Sequence, residues 1–187
     1  CQALFLEFSV PKFLTGQNVV GHLNVHAGCL SAIKKAFKLL GFIPSQDERK
    51  AITNGLYTLT RIDLAAHVDC GSAEYAQALM MALREFAVSN AADVSFYGFE
   101  TAYIGQGSKR RTLKWYLKGT ELKKKGRAIP AHVHGCDYLT EVADRLVRFE
   151  LTLRGKELTR LALTSPSAWD AQVAQKQLAP WLWKMKQ

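Results

Sequence analysis

Apolar positions along the chain alternate or recur at helical spacing in an order that predicts an α+β domain. Two helical segments separate four strand-like segments, in this order: strand 56–68, a helix from Ser72, strand 94–104, strand 111–118, a helix from Asp137 and strand 147–154. The order β-α-β-β-α-β is that of the ferredoxin-like fold, an antiparallel sheet with helices on one face. We therefore predict a ferredoxin-like core over residues 56–154, with the strand order 4-1-3-2.

Two flanking regions complete the predicted organisation. Residues 1–55 form an N-terminal extension, in which a strand at Ala3–Phe8 precedes an amphipathic helix that ends at Gly41. Residues 44–55 are polar and turn-rich, which predicts a linker to the core. Residues 155–187 predict C-terminal helical segments. We expect the three regions to form one compact unit.

Alternation along the predicted strands places polar side chains together on one face of the sheet. Successive side chains point to opposite faces, so if the apolar set lies under the helices, the polar set lies on the open face. That face would collect Asp63, His67, Tyr116, Lys118, Arg148 and Glu150. Polar residues are expected on an open sheet face in any case. Two acids beside a tyrosine and two cations are less expected, and they define a candidate site.

Charge is concentrated in one stretch of the chain. The protein has a net charge of +9, and residues 109–127 hold nine lysines and arginines and one acid. A solvated loop is the ordinary interpretation of such a run, but aromatic residues and a Gly-Gln-Gly turn interleave these charges. This pattern favours contact with nucleic-acid phosphates over an anionic membrane surface. The residues we assign to DNA binding are Lys109, Arg110, Arg111, Lys114, Lys123, Lys124 and Lys125.

The remaining composition bears on where the protein acts. No apolar run approaches the ~18 residues that a membrane-spanning helix needs, so no membrane partner is expected. The four cysteines are widely spaced and include no Cys-x-x-Cys pair, which is typical of reduced thiols in a cytosolic protein. The chain begins at Cys1 without a signal-peptide pattern, which is typical of a fragment of a longer protein.

Tyr116 lies between two lysines, Lys114 and Lys118, on its predicted strand, and Glu121 follows shortly after. A phenol has a pKa of ~10, so attack on a phosphodiester by tyrosine needs positive charge that stabilises the phenolate. Lys118 would stabilise the phenolate or the transition state, and Glu121 could assist as a base or a metal ligand. We predict Tyr116, Lys118 and Glu121 as catalytic residues. The alternative for Tyr116 is cross-strand packing.

Asp63 and Glu150, with His67 as a third candidate, form an oxygen-rich set that suits Mg²⁺ or Mn²⁺. A divalent ion there would polarise a non-bridging phosphate oxygen. The alternative is structural: the two acids would form salt bridges with Arg61 and Arg148, and the histidine would be an ordinary strand residue.

A His-hydrophobe-His triplet occurs at residues 132–134, after Pro130, in a predicted loop. Such a triplet is the metal-binding signature of the HUH nickases. Zinc would need further ligands, and the available ones are Cys136, or His22, His26 and Cys29. Their spacing fits no standard zinc module, so we assign no metal to them.

Five short segments occur in one order over residues 6–163. They are LEFSVPKFLTGQNVVG (6–21), RIDLAAHVD (61–69), TAYIGQGS (101–108), LKWYLKGTEL (113–122) and VRFELTLRGKEL (147–158). Together they resemble the replication initiators of filamentous phages, the gene II protein family. A weaker likeness, in the arginine-aspartate strand, the Thr-x-Tyr-x-Gly turn and the tyrosine strand, extends to rolling-circle plasmid initiators.

The resemblance implies a site- and strand-specific DNA endonuclease with an HUH-nuclease-like fold. Such an enzyme nicks one strand of supercoiled replicative DNA at the origin, holds the 5′ end covalently and later rejoins it. Tyr116 matches the motif tyrosine expected to be the nucleophile, and Asp63 and Glu150 match the motif acids expected to bind metal. Lys118 and Glu121 lie in the same Tyr-x-Lys-x-x-Glu pattern.

The expected partners follow from the same resemblance. They are origin DNA and a host helicase or polymerase, in the cytoplasm of a bacterial host. Two alternatives remain: a non-catalytic DNA-binding regulator of replication that keeps the fold, and an RNA-binding sheet of the RRM type. Acids on the open face would repel a nucleic-acid backbone unless a cation lies between them, which favours catalysis.

Overall fold

The computed structural model describes residues 4–21, 24–90 and 93–183. Its helices and strands are, in chain order, α1 (Val10–Thr15), α2 (Val25–Leu40), α3 (Gln46–Thr53), β1 (Arg61–Asp69), α4 (Ala73–Asn90), β2 (Val94–Tyr97), β3 (Thr101–Ile104), β4 (Arg111–Leu117), α5 (Lys118–Leu122), α6 (Cys136–Asp144), β5 (Leu146–Arg154), α7 (Gly155–Arg160), a 3₁₀ turn (Pro166–Ala168) and α8 (Ala171–Trp183).

The five strands form one antiparallel sheet in the order β1-β5-β4-β3-β2, which confirms the α+β class and the antiparallel sheet. The predicted ferredoxin-like order 4-1-3-2 is wrong. In that order the first strand would lie at the centre of the sheet beside the third, whereas β1 lies at an edge and pairs with β5. The predicted strand 94–104 is also two strands, because Gly98 adopts a φ of 58° and turns the chain back into the β2–β3 hairpin.

One face of the sheet carries the core under α4, as alternation predicts. Leu64, Leu151 and Leu113 lie side by side across β1, β5 and β4, and all three are buried. Helix α4 covers them with a stripe that includes Met80 and Leu83. Ser72 begins this helix as predicted, since its hydroxyl accepts a hydrogen bond from the Tyr75 amide at 3.3 Å. Burial of this face leaves the opposite face of the sheet for polar residues.

The N-terminal extension is helical. The predicted strand at Ala3–Phe8 is wrong in its described part, residues 4–8, which lie in no strand. Pro11 instead occupies the first turn of α1, where its missing amide hydrogen costs nothing. Helix α2 ends as predicted at Gly41, which has a φ of 66°.

The predicted linker at residues 44–55 is wrong, because most of it forms α3. Ser45 and Glu48 form a capping box in which each side chain accepts a hydrogen bond from the other residue's backbone amide, at 3.2 and 2.7 Å. The Ser-x-x-Glu spacing that makes this cap is visible in the sequence, but the polar composition of the segment obscured it.

The C-terminal tail is helical as predicted and packs against the same core as α4. Leu158, Leu163 and Trp169 are buried in that core, and the Trp169 indole donates a hydrogen bond to the Leu163 carbonyl at 2.9 Å. None of the helices in the described ranges is both long and apolar enough to cross a membrane.

The strand that carries Tyr116 is shorter than predicted. It ends at Leu117, and Lys118 is the first residue of α5. Gly119, the next residue, lies against α6: a methyl group built on it would lie 2.7 Å from the Asp144 Cα and would overlap the Asp144 carboxylate. This close approach fixes how the chain leaves the tyrosine strand.

We expect Gly119→Ala to destabilise the protein by about 1–3 kcal/mol, because the added methyl group forces α5 away from α6. This corresponds to a fall of roughly 2–10 °C in the thermal midpoint of a domain of this size. Gly107→Ala is the matched control, since a methyl group there meets nothing within 4 Å. Equal melting temperatures for the two variants would show that the α5–α6 contact does not constrain the fold.

Candidate active site

The polar face of the sheet arranges its side chains in rows across β4, β5 and β1. Tyr116, Arg148 and His67 are aligned in one row, and Lys114 and Glu150 are aligned in the next. The alternation of strands therefore brings the predicted tyrosine, acid and cations together. Lys118 joins them from the first turn of α5, not from the strand.

Tyr116 is buried, with 3% of its surface exposed, and its hydroxyl donates a hydrogen bond to Glu150 Oε1 at 2.9 Å. The Lys114 ammonium lies 3.9 Å from the centroid of the phenol ring, and the Lys118 ammonium lies 6.0 Å from it. The phenol thus has two cations at its ring and a carboxylate at its hydroxyl. The hydroxyl partner is Glu150, which was predicted as a metal ligand.

The environment raises the pKa of Tyr116 above the ordinary phenol value, chiefly because burial disfavours the charged phenolate. The charge of Arg148 acts in the opposite direction and lowers the pKa, while the Glu150 carboxylate raises it. The effect of burial on the pKa of Tyr116 thus exceeds the opposing effect of the Arg148 charge. Tyr116 is therefore a neutral hydrogen-bond donor to Glu150.

Arg148 links Glu150 to the other residues of the site. Its Nε lies 2.8 Å from Glu150 Oε1, and its Nη1 donates a hydrogen bond to the Asn18 backbone carbonyl. The same Nη1 lies 3.3 Å from His67 Nε2. The guanidinium thereby holds the carboxylate that receives the tyrosine hydroxyl. Alternation along β5 placed Arg148 on this face, but nothing in the strand pattern indicated its contact with Asn18.

Lys118 is fully buried and forms a hydrogen-bonded cluster with two residues. Its ammonium donates to Glu121 Oε2 at 2.7 Å and to Asn18 Oδ1 at 2.8 Å. Burial lowers the pKa of Lys118, and the Glu121 carboxylate acts in the opposite direction. Glu121 also lies 3.7 Å from Arg127. The predicted catalytic pair Lys118 and Glu121 is therefore an ion pair beside the tyrosine ring. Asn18, which sequence reasoning missed, completes it.

Asp63 and Glu150 both line a small cavity of about 220 Å³ on the polar face. Asp63 accepts hydrogen bonds from Arg61 at 2.9 and 3.1 Å and from Thr152 at 2.7 Å. Glu150 lies 3.6 Å from Lys114 in addition to its contacts with Tyr116 and Arg148. The salt bridges that were the structural alternative are thus present. In residues 4–21, 24–90 and 93–183, no three His, Cys, Asp or Glu side chains form a group able to hold a metal ion.

His67, the third predicted metal ligand, does not reach Asp63. The two residues lie four positions apart on β1, roughly 14 Å at ~3.4 Å per residue. Burial, followed by the charges of Arg148 and Lys118, lowers the pKa of His67 to about 4. The imidazole is therefore neutral at physiological pH and can accept a hydrogen bond from Arg148.

Two carboxylates are nevertheless a suitable partial ligand set for Mg²⁺ or Mn²⁺. In phosphoryl-transfer sites Mg²⁺ is usually held by one or two carboxylates and completed by substrate phosphates and water. Asp63 and Glu150 are diagonal neighbours across β1 and β5 and face one cavity, so they fit this pattern. Arg61 and Lys114 pair with these carboxylates, so a metal ion would have to displace them.

The residues predicted to bind DNA fall at the two ends of β4, with Lys114 between them. Arg110 and Arg111 lie 3.9 and 3.8 Å from the buried Glu157, so part of their charge is used to pair that acid. At the other end, Lys123 pairs with Asp144 at 2.8 Å. The two groups are separated by the length of the strand, roughly 20 Å. They form two basic regions instead of one patch.

The remaining predicted contacts are exposed. Lys124 lies 3.6 Å from Glu100, with about half of its side chain exposed. Lys109 and Lys125 are exposed as well. Their role in DNA binding stays a prediction.

The triplet at residues 132–134 lies in an irregular segment before α6, and both of its histidines are exposed. Of its predicted zinc partners, His22 lies outside the described residues. Cys136 contacts Asp137 at 3.5 Å, and His26 contacts the Thr53 carbonyl at 3.2 Å. The triplet lines a different cavity from the one that Asp63 and Glu150 share.

Comparison with known proteins identifies the family to which this chain belongs. Residues 1–172 match the family model for the N-terminal region of the phage replication-associated protein encoded by gene II, so the chain belongs to that family. This confirms the resemblance to the gene II proteins of filamentous phages.

A particular relative is the replication-associated protein of the same type from Enterobacteria phage I2-2, which is 24% identical over 173 residues. The match covers 91% of this chain and 50% of the relative, so the chain spans about half the length of that protein. No solved structure matches the chain.

We expect Tyr116 to stay protonated in the native protein at about pH 10, where exposed tyrosines ionise. Because its folded pKa is raised above the unfolded value, its contribution to stability is present below about pH 10 and is lost as the pH rises through the folded pKa. The measurement is tyrosinate ultraviolet absorbance. Tyr116→Phe should match the wild type when native and fall short of it by one tyrosinate in denaturant.

The control for this titration is Tyr138→Phe, which removes a tyrosine that is 64% exposed. It should lower the tyrosinate absorbance in both native and denatured protein. If Tyr116→Phe lowers the native signal as much as the control does, the phenolate forms readily and the cations, not Glu150, dominate its environment.

Proposed function

We propose that this chain is the DNA-nicking region of a rolling-circle replication initiator. The observation that carries the proposal is the hydrogen bond from the Tyr116 hydroxyl to Glu150, a carboxylate held by Arg148 and Lys114. A buried tyrosine paired with an oriented carboxylate and surrounded by cations has the parts of an activated nucleophile. Membership of the replication-associated protein family supplies the context of DNA replication in phages.

In the proposed reaction, Tyr116 Oη attacks a phosphorus atom of the origin strand while its proton passes to Glu150. A bond forms between Oη and phosphorus, and the bond from phosphorus to the 3′ oxygen breaks. The 3′ oxygen takes up a proton and leaves as a hydroxyl group, and the 5′ phosphate stays on the tyrosine. A base is required because the pKa of Tyr116 is raised. The reverse reaction rejoins the strand.

Cations around the ring stabilise the charge that develops on phosphate and phenolate. Lys114 and Arg148 are the nearest to the reacting groups, and Lys118 acts from 6.0 Å. Glu121 and Asn18 keep the buried Lys118 ammonium in place. In this proposal Lys118 is an electrostatic element, and Glu121 is its anchor and not a base.

We further propose that Asp63 and Glu150 hold Mg²⁺ or Mn²⁺ once DNA phosphate is present. A bound divalent ion would polarise a non-bridging oxygen of the scissile phosphate. Glu150 offers two oxygens, of which Oε1 receives the tyrosine hydroxyl and Oε2 faces Lys114.

The substrate we propose is origin DNA in the cytoplasm of a bacterial host, with a host helicase or polymerase as a later partner. The basic regions at both ends of β4 would contact its backbone on either side of Tyr116. Because the chain spans half of its relative, other parts of a longer protein would contribute to recognition of the origin.

A second candidate function is that of a non-catalytic DNA-binding regulator of replication. The burial of Tyr116 favours it, since a side chain with 3% exposure is not directly accessible to a phosphodiester. In that case the hydrogen bond between Tyr116 and Glu150 would have a structural role only. The two functions differ in whether a covalent bond to DNA ever forms.

We expect wild-type protein with Mg²⁺ or Mn²⁺ to convert supercoiled origin DNA to open circles that carry protein on the 5′ end. Tyr116→Phe should abolish the covalent product, and Glu150→Gln should slow it by about 10²–10⁴-fold, the usual effect of losing a general base. Gel mobility and protease-sensitive labelling of the DNA end measure both. Tyr138→Phe, on the exposed surface of α6, is the control and should behave as the wild type.

Two outcomes would contradict the enzyme hypothesis in different ways. If Tyr116→Phe still forms the covalent product, another residue is the nucleophile. If the wild type binds origin DNA but never nicks it with either metal, the regulator is the correct function.

We expect Asp63→Asn to weaken Mn²⁺ binding in the presence of a DNA strand by about tenfold or more, because it removes one of only two carboxylates at the cavity. Tyr116→Phe protein serves as the background, so that the DNA stays intact during calorimetric titration. Asp137→Asn, which removes an exposed acid from α6, is the charge-matched control. An Mn²⁺ affinity equal to that of the control would exclude Asp63 as a ligand.

A further inference from the structure

A second and larger cavity lies between α1 and the segment that carries the histidine triplet. It has a volume of about 720 Å³, within the range of small-ligand sites. Its walls are formed by residues 12–15 of α1, the following turn at Gly16 and Gln17, Lys35 of α2, Pro130, residues 132–134 and Leu139.

The lining of this cavity is cationic. Lys12, Lys35, His132 and His134 all line it, and none of its described lining residues is acidic. Lysine ammonium groups and imidazole N–H groups are hydrogen-bond donors. Two lysines repel a metal ion and attract an anion, which gives the histidine triplet a use that does not involve zinc.

The walls of the cavity are held by specific contacts. The Lys35 ammonium donates to the Phe13 carbonyl at 2.6 Å and to the Leu14 carbonyl at 3.3 Å, which ties α2 to α1. Gly16 has a φ of 78°, and a methyl group built on it would lie only 2.7 Å from Val133 Cγ2. The turn after α1 therefore packs directly on the triplet segment.

The cavity adjoins the candidate active site through two consecutive residues. Gln17 lines the cavity, and the next residue, Asn18, contacts both Lys118 and Arg148 beside Tyr116. A DNA strand positioned at the tyrosine would therefore have this cavity within a few nucleotides of the scissile phosphate.

We propose that this cavity is a phosphate-binding subsite for the backbone of the DNA on which the protein acts. The proposal rests on the proposed function for the identity of the ligand. Lys12, His132 and His134 supply the donors, and Lys35 supplies a tethered positive charge. The subsite holds a backbone phosphate within a few nucleotides of the one that is attacked and takes no part in the chemical step.

The test is the affinity for a short fluorescent DNA strand, measured by anisotropy over a series of salt concentrations without divalent metal. Lys12→Ala and His134→Ala should each weaken binding by about threefold or more. Loss of one lysine–phosphate contact should reduce the slope of log affinity against log salt by about 0.7 for a single strand. Lys34→Ala removes an exposed lysine of α2 outside the cavity, and its affinity should stay within about twofold of the wild type.

A duplex of the same sequence distinguishes the source of the phosphate. If the cavity variants lose affinity only for the single strand, the subsite holds unpaired DNA, and if they lose affinity for the duplex as well, it holds a duplex backbone. An equal loss in the cavity variants and in Lys34→Ala would show that only overall charge matters and would overturn the subsite. Unchanged affinity in the cavity variants, with unchanged melting temperatures, would overturn it as well.

Failure of this inference is separable from failure of the proposed function. A wild-type protein that nicks DNA, together with cavity variants that bind DNA normally, removes the subsite and keeps the enzyme. A protein that never nicks, but loses DNA affinity in Lys12→Ala and His134→Ala, keeps the subsite and removes the enzyme.

Discussion

The pairing of β4 with β5 is the interaction on which the rest of the structure depends. Its register sets Tyr116 opposite Arg148 and Lys114 opposite Glu150, and it sets Leu113 opposite Leu151 on the other face. A slip of one residue would move every apolar side chain out of the core and every charged one into it. The core under α4 therefore enforces the same register that brings the Tyr116 hydroxyl to the Glu150 carboxylate. Packing of the core and geometry of the site thus depend on the same strand pairing.

The site contains charged side chains that are largely buried, and these are paired with groups of opposite charge. Lys118 is fully buried and Arg148 is nearly so, and each has an acid and Asn18 as partners. A buried ion pair contributes little net stability, but removal of one partner commonly costs about 3–5 kcal/mol, because an uncompensated charge remains. Such a network is better suited to holding groups in one geometry than to stabilising the fold.

The sequence predicted what depends on local periodicity and missed what depends on long-range contacts. Alternation placed Tyr116 and Glu150 on the correct face, because side-chain direction along a strand is a property of two neighbouring residues. Strand order is set by pairings across the whole chain, and neither the edge position of β1 nor the contacts of Asn18 left a local signal. The sequence shows a glycine, Gly98, where the predicted strand 94–104 breaks. The positive φ of this residue belongs to the β2–β3 hairpin, and that pairing is not a local property of the sequence.

The long-range contacts of Asn18 determine when the polar face can form during synthesis of the chain. It contacts Lys118 and Arg148, which lie 100 and 130 residues further along the chain. The polar face therefore assembles only after the ribosome has released β5, when the first and last parts of the domain are both available. A nascent or truncated chain that lacks β5 therefore carries Tyr116 without Arg148 and Glu150, the residues that surround its hydroxyl in the folded domain.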